Sequence, residues 1–384
     1  VASTHPPLLR APARVPREPE VSGAHRLRRI ALAASLVVLI PVAISYLGAL
    51  MQTSNAPLGI RTVEWLRDNG AADLVAKVES AYYTLTAPSK GGPTLRSLPH
   101  VGVGGAVAGT NAEYEPARIH TILHPALPGE GVWHATRSSL ASRPPILETT
   151  LRDQPEYPRV LAGVTWIDMH RARLQLYPGR LEPSVELPRG PEEVPEALRG
   201  QLLATFNSGF KLSDSHGGFV LHGHTYAPMR NGQGTIVGYE NGSVDVVDWN
   251  RGPTAPAGVS FARQNLPLIV DNGQATPNIA NTAEWGVTVG NAVLVWRSSI
   301  GVDAHGNLIY VAGENQSVQS LARAQIRAGA VRAMELDINS FWVSMISYGA
   351  PGGSEPHNLL PGMERSDTRY LEPDDRDFFA VYSR

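Results

Sequence analysis

The sequence predicts an α+β fold, rich in strands and poor in helices, preceded by one transmembrane helix. Three observations carry this. An uncharged run of 21 residues, Ile30 to Leu50, stands near the N-terminus. Beyond about Arg118 the apolar residues fall in short runs punctuated by Gly, Pro and Asn, the pattern of strands and turns. In that region one segment, Ser317 to Ala328, shows clear helical spacing. A strand-rich mixed sheet with few helices follows.

The apolar run is the first element. At about 1.5 Å per residue it spans roughly 31 Å, the thickness of a hydrocarbon core. Pro41 lies at its middle, which membrane helices tolerate. Arg10, Arg14, Arg17, Arg26, Arg28 and Arg29 precede the run, and the next basic residues are Arg61 and Arg67. The positive-inside rule then predicts a single-pass cell-membrane protein with residues 1–29 in the cytoplasm and the main domain outside. A cleaved signal peptide is the rival reading, against which stand the length of the run and the lack of an A-x-A site.

Residues 1–29, rich in Pro and Arg, read as a disordered cytoplasmic tail. Residues 51–117 read as a juxtamembrane helical segment, Arg61 to Tyr83 with a break at Gly70, followed by a Gly/Pro-rich linker. The segment is expected either to lie along the membrane or to pack on the main domain. Residues 118–384 form the extracytoplasmic domain. Within it Val160–Met169 and Ala172–Tyr177 read as a strand pair. Gly234–Trp249 reads as a hairpin with an Asn241-Gly242 turn of type I′. Strands Val293–Arg297 and Leu308–Val311 flank a turn at Asp303–Asn307. Ser317 caps the helix, Gly329 ends it, and Val331–Asp337 is the next strand.

The composition closes several routes. There is no cysteine, so disulfides, thiolate metal sites and cysteine nucleophiles are excluded. The net charge of −2 argues against a nucleic-acid partner. Lysine occurs only as Lys77, Lys90 and Lys211, the other basic residues being arginines, which together with abundant Ala, Gly and Pro and a starting Val1 points to a GC-rich bacterium. No P-loop, G-x-S-x-G or H-E-x-x-H motif is present.

Three segments can carry chemistry. In Ala333–Asn339, alternation along a strand puts Glu335, Asp337 and Asn339 on one face and Met334, Leu336 and Ile338 on the other. Carboxylates about 7 Å apart repel and raise one pKa unless a cation or donor intervenes, an arrangement suited to acid/base work or to a hard divalent cation. In Phe206–Phe210, Asn207 stands at a strand end where its amide can hold a sugar hydroxyl or phosphate oxygen, and Gly209 permits close backbone approach or a positive φ. In Trp296–Gly301, the Arg297 fork matches a phosphate diester or carboxylate, with Ser298 beside it. His222 and His224 are expected to share a strand face with His216 across a turn, and read better as a surface strand than as a metal site. Asp271 follows an apolar strand.

Taken in order, these segments resemble the phosphodiester glycosidase family. Phe206-Asn-Ser-Gly-Phe210 is similar to that family's N-G-G-F segment, and Arg297-Ser-Ser-Ile-Gly301-Val-Asp303 to its R-T/S-A-x-G and G-x-D elements. The helix with Gly329-Ala330 and the strand end Leu336-Asp337 follow as in the family. The resemblance runs from about Leu202 to Tyr348. It departs after Asp337, where the family's glycines and serines are replaced by Ile338-Asn-Ser-Phe-Trp342, and at Glu335, where the family usually has a neutral residue. The chain looks like a divergent, actinobacterial-type branch.

What the resemblance implies is a membrane-anchored glycosidase that hydrolyses a sugar-phosphodiester linkage in cell-envelope glycans without a cofactor. Asp337 and Glu335 are the implied catalytic pair, with Arg297 on the phosphate and Asn207, Gly209, Ser298 and Asn339 around the substrate. The altered stretch after Asp337 favours, as an alternative, a non-catalytic module that binds or organises envelope glycan. A metal-dependent hydrolase using Glu335 and Asp337 is the third expectation.

Overall fold

The computed structural model describes residues 23–92, 94–102, 116–140, 144–281, 284–285 and 294–384. The tail before residue 23, much of the expected linker and Val293, the expected start of a strand, lie outside the described residues. The chain divides into two compact units, Val1–Gln52 and Thr53–Arg384.

In the first unit, α1 (Gly23–Met51) is a 29-residue helix containing Pro41 and burying no side chain. By length and composition it is the one helix among the described residues able to cross a membrane, features that a signal sequence shares.

The second unit opens with a helical hairpin. α2 (Leu58–Leu66) runs into a five-residue kink, Arg67–Ala71, and α3 (Ala72–Thr86) follows. Gly70 makes the break, with φ of +85° where a side chain would be strained. The residues that lead into and begin this hairpin pack on the strand domain. Ala56 and Ile60 form a buried apolar cluster with Trp342, with Phe341 packed against it. Val101, from the expected linker, joins the main core.

Among the described residues eighteen strands follow in three sheets. In chain order they begin with β1 (His134–Ala135), β2 (Ile146–Leu151), β3 (Ala162–Ile167), β4 (Ala172–Tyr177), β5 (Leu202–Asn207) and β6 (Phe219–Leu221). Next come β7 (His224–Ala227), β8 (Gly234–Tyr239), β9 (Val244–Asp248), β10 (Val259–Gln264), β11 (Leu268–Asp271) and β12 (Gln274–Ala275). The last are β13 (Val295–Asp303), β14 (Leu308–Gln316), β15 (Ala330–Glu335), β16 (Met345–Ala350), β17 (Ser354–Asn358) and β18 (Phe378–Ser383). The first sheet has the order β1-β2-β3-β14-β13-β15-β11-β12, the second β7-β6-β10-β8-β9 and the third β17-β16-β5-β18-β4. The expected mixed sheet is thus three sheets, and every pairing among the described residues is antiparallel.

One core cluster draws on all three sheets, with Ile300, Tyr310 and Met334 from the first, Ile236 and Phe261 from the second and Phe206, Met345 and Phe379 from the third. Phe206 lies at its centre, its ring centroid 5.5 Å from Tyr310 and 5.2 Å from Phe379. After the single-turn helix α4 (Leu212–Ser215) comes α5 (Val318–Arg327), which covers the opposite face of the first sheet, its Leu321 and Ala324 packing with Ile309, Val311 and Ala333. Ser317 and Ser320 close a reciprocal capping box at its start, and Gly329 follows it at φ +99°, as the sequence requires.

Several local expectations change. β3 and β4 are not paired: β3 lies between β2 and β14, while β4 pairs with β18 in another sheet. The turn at Asp168–Arg171 therefore hands the chain from one sheet to the next rather than folding a hairpin. β8 and β9 do form the expected hairpin, but Gly242 at φ +81° is the turn's positive-φ residue and Asn241 is not one, which rules out type I′. β13 and β14 are each nine residues long, so the Asp303–Asn307 turn joins strands twice the expected length. β15 ends at Glu335, two residues before the expected end.

Candidate active site

The site is built where the ends of β5 and β15 meet the start of β13. Strand β5 delivers Asn207, whose amide is wholly engaged within the protein. Its Oδ1 accepts from the Tyr310 hydroxyl (2.8 Å) and the Ser344 backbone N–H (3.1 Å). Its Nδ2 donates to the Ser208 carbonyl (2.8 Å) and to Ser298 Oγ (3.1 Å). Ser298 in turn donates from Oγ to the Asp337 carbonyl (3.0 Å) and accepts from the Asp337 N–H (3.1 Å). Asn207, Ser298 and Asp337, which the sequence separates by up to 130 positions, are therefore one hydrogen-bonded chain. Asn207 is its organiser, and no donor of its amide points to open space.

The two acids part company. Because β15 stops at Glu335, strand alternation does not reach Asp337, and the carboxylates take different partners. Glu335 Oε1 lies 2.6 Å from Arg297 Nη1 in a buried ion pair on the α5 side of the first sheet. Arg297 also donates from Nη1 to the Trp285 carbonyl (3.1 Å) and from Nε to the Gln316 carbonyl (3.0 Å). Asp337 Oδ2 lies 3.2 Å from Arg376 Nη2, and its Oδ1 accepts from the Asn339 N–H (3.0 Å). The expected cation between the acids is thus two arginines, one for each. Burial pushes both carboxyls above their usual range, against the pull of Arg297 on Glu335 and of Arg376 on Asp337.

Above Asp337 opens a cleft of ≈ 550 Å³. Asp337, Asn339, Arg376, Lys211 and Trp342 line it, and Glu64 of α2 faces them from the helical hairpin. Asn207, Arg297 and Glu335 do not line it. Asn339 reaches it, while its Oδ1 caps its own turn by accepting from the Phe341 N–H (2.9 Å). Gly209 does not have a positive φ. A Cβ there would stand 3.1 Å from the Asn265 side chain, so the close approach it permits is to protein.

Several participants escaped sequence reasoning. Asn265 fastens the two motif segments together, donating to the Glu335 and Leu336 carbonyls (2.8 and 2.6 Å) and accepting from the Phe210 N–H (3.2 Å). Arg376 belongs to the run Asp374–Asp377, which reads as a solvated charge cluster yet is buried throughout. Arg369 grips Asp374 with two bonds of 2.7 and 3.0 Å, and Arg365, Arg369 and Arg376 all stack within 5.3 Å of the Trp342 ring. The burial of charges just before the apolar strand β18 left no mark in the sequence. Lys211 did leave one: it is among three lysines in the chain and directly follows Phe210.

The histidines lie apart from this cleft. His222 sits in the β6–β7 turn at φ +50° rather than on a strand, and His224 is exposed with its ring 4.5 Å from Tyr226. Among the described residues no group of three or more His, Cys, Asp or Glu side chains is arranged to hold a metal ion. Asp271 ends β11 in solvent.

Residues 196–337 match the phosphodiester glycosidase family. The phosphodiester glycosidase match therefore begins just ahead of β5 and closes on Asp337 itself. No curated protein matches the chain. Among solved structures, a similar one is the zebrafish N-acetylglucosamine-1-phosphodiester alpha-N-acetylglucosaminidase catalytic domain auto-inhibited by its pro-peptide. It is 14% identical, with a TM-score of 0.41 over 63% of this chain and 84% of that one. A hypothetical protein from Synechocystis is 15% identical, with a TM-score of 0.38 over 62% of each chain.

Proposed function

We propose that this chain is a membrane-anchored glycosidase that hydrolyses a sugar-phosphodiester linkage in glycans of the cell envelope, with Asp337 as its reacting carboxylate. The observation that carries this reading is that the matched segment ends on a buried carboxylate that opens into a cleft, tied through Ser298 to Asn207.

Cleaving the bond between the anomeric carbon and the phosphate oxygen releases a phosphate monoester, a stable anion that needs no proton to depart. What the reaction needs is a carboxylate to face the developing oxocarbenium charge and a base for the incoming water. Asp337 supplies both. Arg376 and the Asn339 N–H hold its two oxygens in place. The Ser298 hydroxyl fixes its backbone, and Asn207 fixes Ser298. Glu335 and Arg297 act as a positioning pair behind the strand end, which revises the expectation that Arg297 holds the phosphate. No metal enters this scheme.

The full chain in detergent, given an α-linked sugar-1-phosphate methyl diester, is expected to release free sugar and methyl phosphate. Appearance of sugar phosphate and methanol instead would mean phosphodiesterase chemistry and would sink the glycosidase reading. The second reading, a glycan-binding module without turnover, is favoured by the bulky Ile338–Trp342 stretch in the cleft. It would be supported by saturable binding of envelope polysaccharide with neither product formed.

A further inference from the structure

The ion pairs of Glu64 in the cleft are unused by the reaction just described. Lys211 Nζ lies 2.5 Å from Glu64 Oε2, and Arg67 Nη1 lies 3.0 Å from Glu64 Oε1. A single carboxylate from α2 is thus bracketed by cations within the cleft that Asp337 and Arg376 line. Burial raises the Glu64 carboxyl, but Lys211, Arg376 and Arg67 outweigh it and hold the group below its usual range. So the carboxylate is kept ionised by a field that two strand-domain residues help to create.

The strand-domain side of the cleft carries Lys211 and Arg376 against Asp214 and Asp337, whereas the hairpin brings Glu64, Asp68 and Glu79 against Arg67. Without Glu64, Lys211 would be a cation in a walled cleft with no carboxylate nearer than Asp68, at 3.8 Å. An anion of charge −1 replaces the Glu64 carboxylate without changing the local charge. A phosphodiester is such an anion, and its two free oxygens can bridge two cations as the Glu64 oxygens now bridge Lys211 and Arg67.

We propose that Lys211 and Arg376 form the phosphate subsite of the cleft, and that the Glu64 carboxylate is the internal anion with which a substrate phosphodiester exchanges. This rests on the phosphodiester reading of the site. It assigns the phosphate to residues on the Asp337 side of the sheet, in place of Arg297. Substrate affinity is then set by competition: the phosphodiester must displace a tethered carboxylate before it reaches Lys211.

Dimethyl phosphate tests this without turnover, because it has the charge of the linkage and no sugar. Its binding to the full chain can be followed by broadening of its phosphorus resonance. Glu64→Gln is expected to tighten binding by about tenfold, the scale of one charge-assisted contact. Adding Lys211→Met to that variant should remove the gain, and adding Lys211→Arg should keep it. Equal binding by wild type and Glu64→Gln, or a gain that survives Lys211→Met, would overturn the subsite. The two failures separate cleanly. Sugar release with no effect of Glu64→Gln on binding leaves the reaction standing and removes the subsite. A Glu64→Gln gain lost with Lys211→Met, in a chain that releases no sugar, keeps the subsite and removes the reaction.

Discussion

Glu335 and Asp337 stand two residues apart, and each is buried with its own guanidinium. That pairing sets the consequence of removing one partner. Arg297→Met would leave Glu335 charged and uncompensated in a site it cannot leave, and is expected to cost about 3–5 kcal/mol in chemical denaturation. Arg297→Met with Glu335→Gln should recover much of that loss, because the stranded charge is gone. A double variant no more stable than the single one would contradict the pairing. A second residue-scale prediction concerns Glu148 and Asp153, whose carboxyls burial pushes up to about 7, against weaker lowering by Ser347 and Gly102 for Glu148 and by Arg323 and Arg327 for Asp153. The folded chain holds these protons to higher pH than the unfolded chain does, so stability falls as pH rises from about 4 to about 7. At roughly 1.4 kcal/mol per unit, each group contributes on the order of 3 kcal/mol across that window. Thermal melts between pH 5 and 8 should show the decline, and Glu148→Gln should flatten it. A slope unchanged by that substitution would refute the assignment. At this scale the sequence pointed to Asn207, Arg297 and Asp337 as one site; Asn207 and Asp337 are joined through Ser298, whereas Arg297 turns away to Glu335. The sequence concealed Arg376 and Asn265, because a residue's burial depends on which strands cover it, and no periodicity records that.

Among the elements, legibility followed local chemistry. α5 was readable to within a residue because Ser317, Ser320 and Gly329 act on backbone groups close to themselves. Ser317→Ala is accordingly expected to lower stability by about 1 kcal/mol, measured as a shift of the denaturation midpoint at constant m-value. No shift would mean that the cap is replaced by water. Strand partners were less readable. β3 and β4 are separated by a four-residue turn, which is the spacing of a hairpin, yet they belong to different sheets because β14 and β18 supply their edges instead. The Asp337 face was misjudged for a related reason. β15 ends where the Leu336 N–H and the Asp337 carbonyl both turn to the backbone of Ser298, and period-two alternation stops with it.

At the scale of the whole molecule, the strand domain and the helical hairpin form one compact unit, from Thr53 onward. Beyond the apolar cluster around Trp342, Ser54 Oγ bonds Asp375 (2.5 Å) and Asn55 Nδ2 bonds the Arg369 carbonyl (2.8 Å). A chain starting at Thr53 should therefore keep the full-length unfolding transition, while one starting at Ala87 should melt lower by several degrees through exposure of Trp342. Equal melting of the two would show that the hairpin is energetically detached. The central claim, that the Asp337 carboxylate performs the cleavage, is tested most directly by steady-state sugar release from a chromogenic sugar-1-phosphodiester, comparing the wild-type chain with Asp337→Asn. The account predicts a fall in kcat of at least about a hundredfold, measured below the variant's unfolding transition; turnover by Asp337→Asn at the wild-type rate would contradict it.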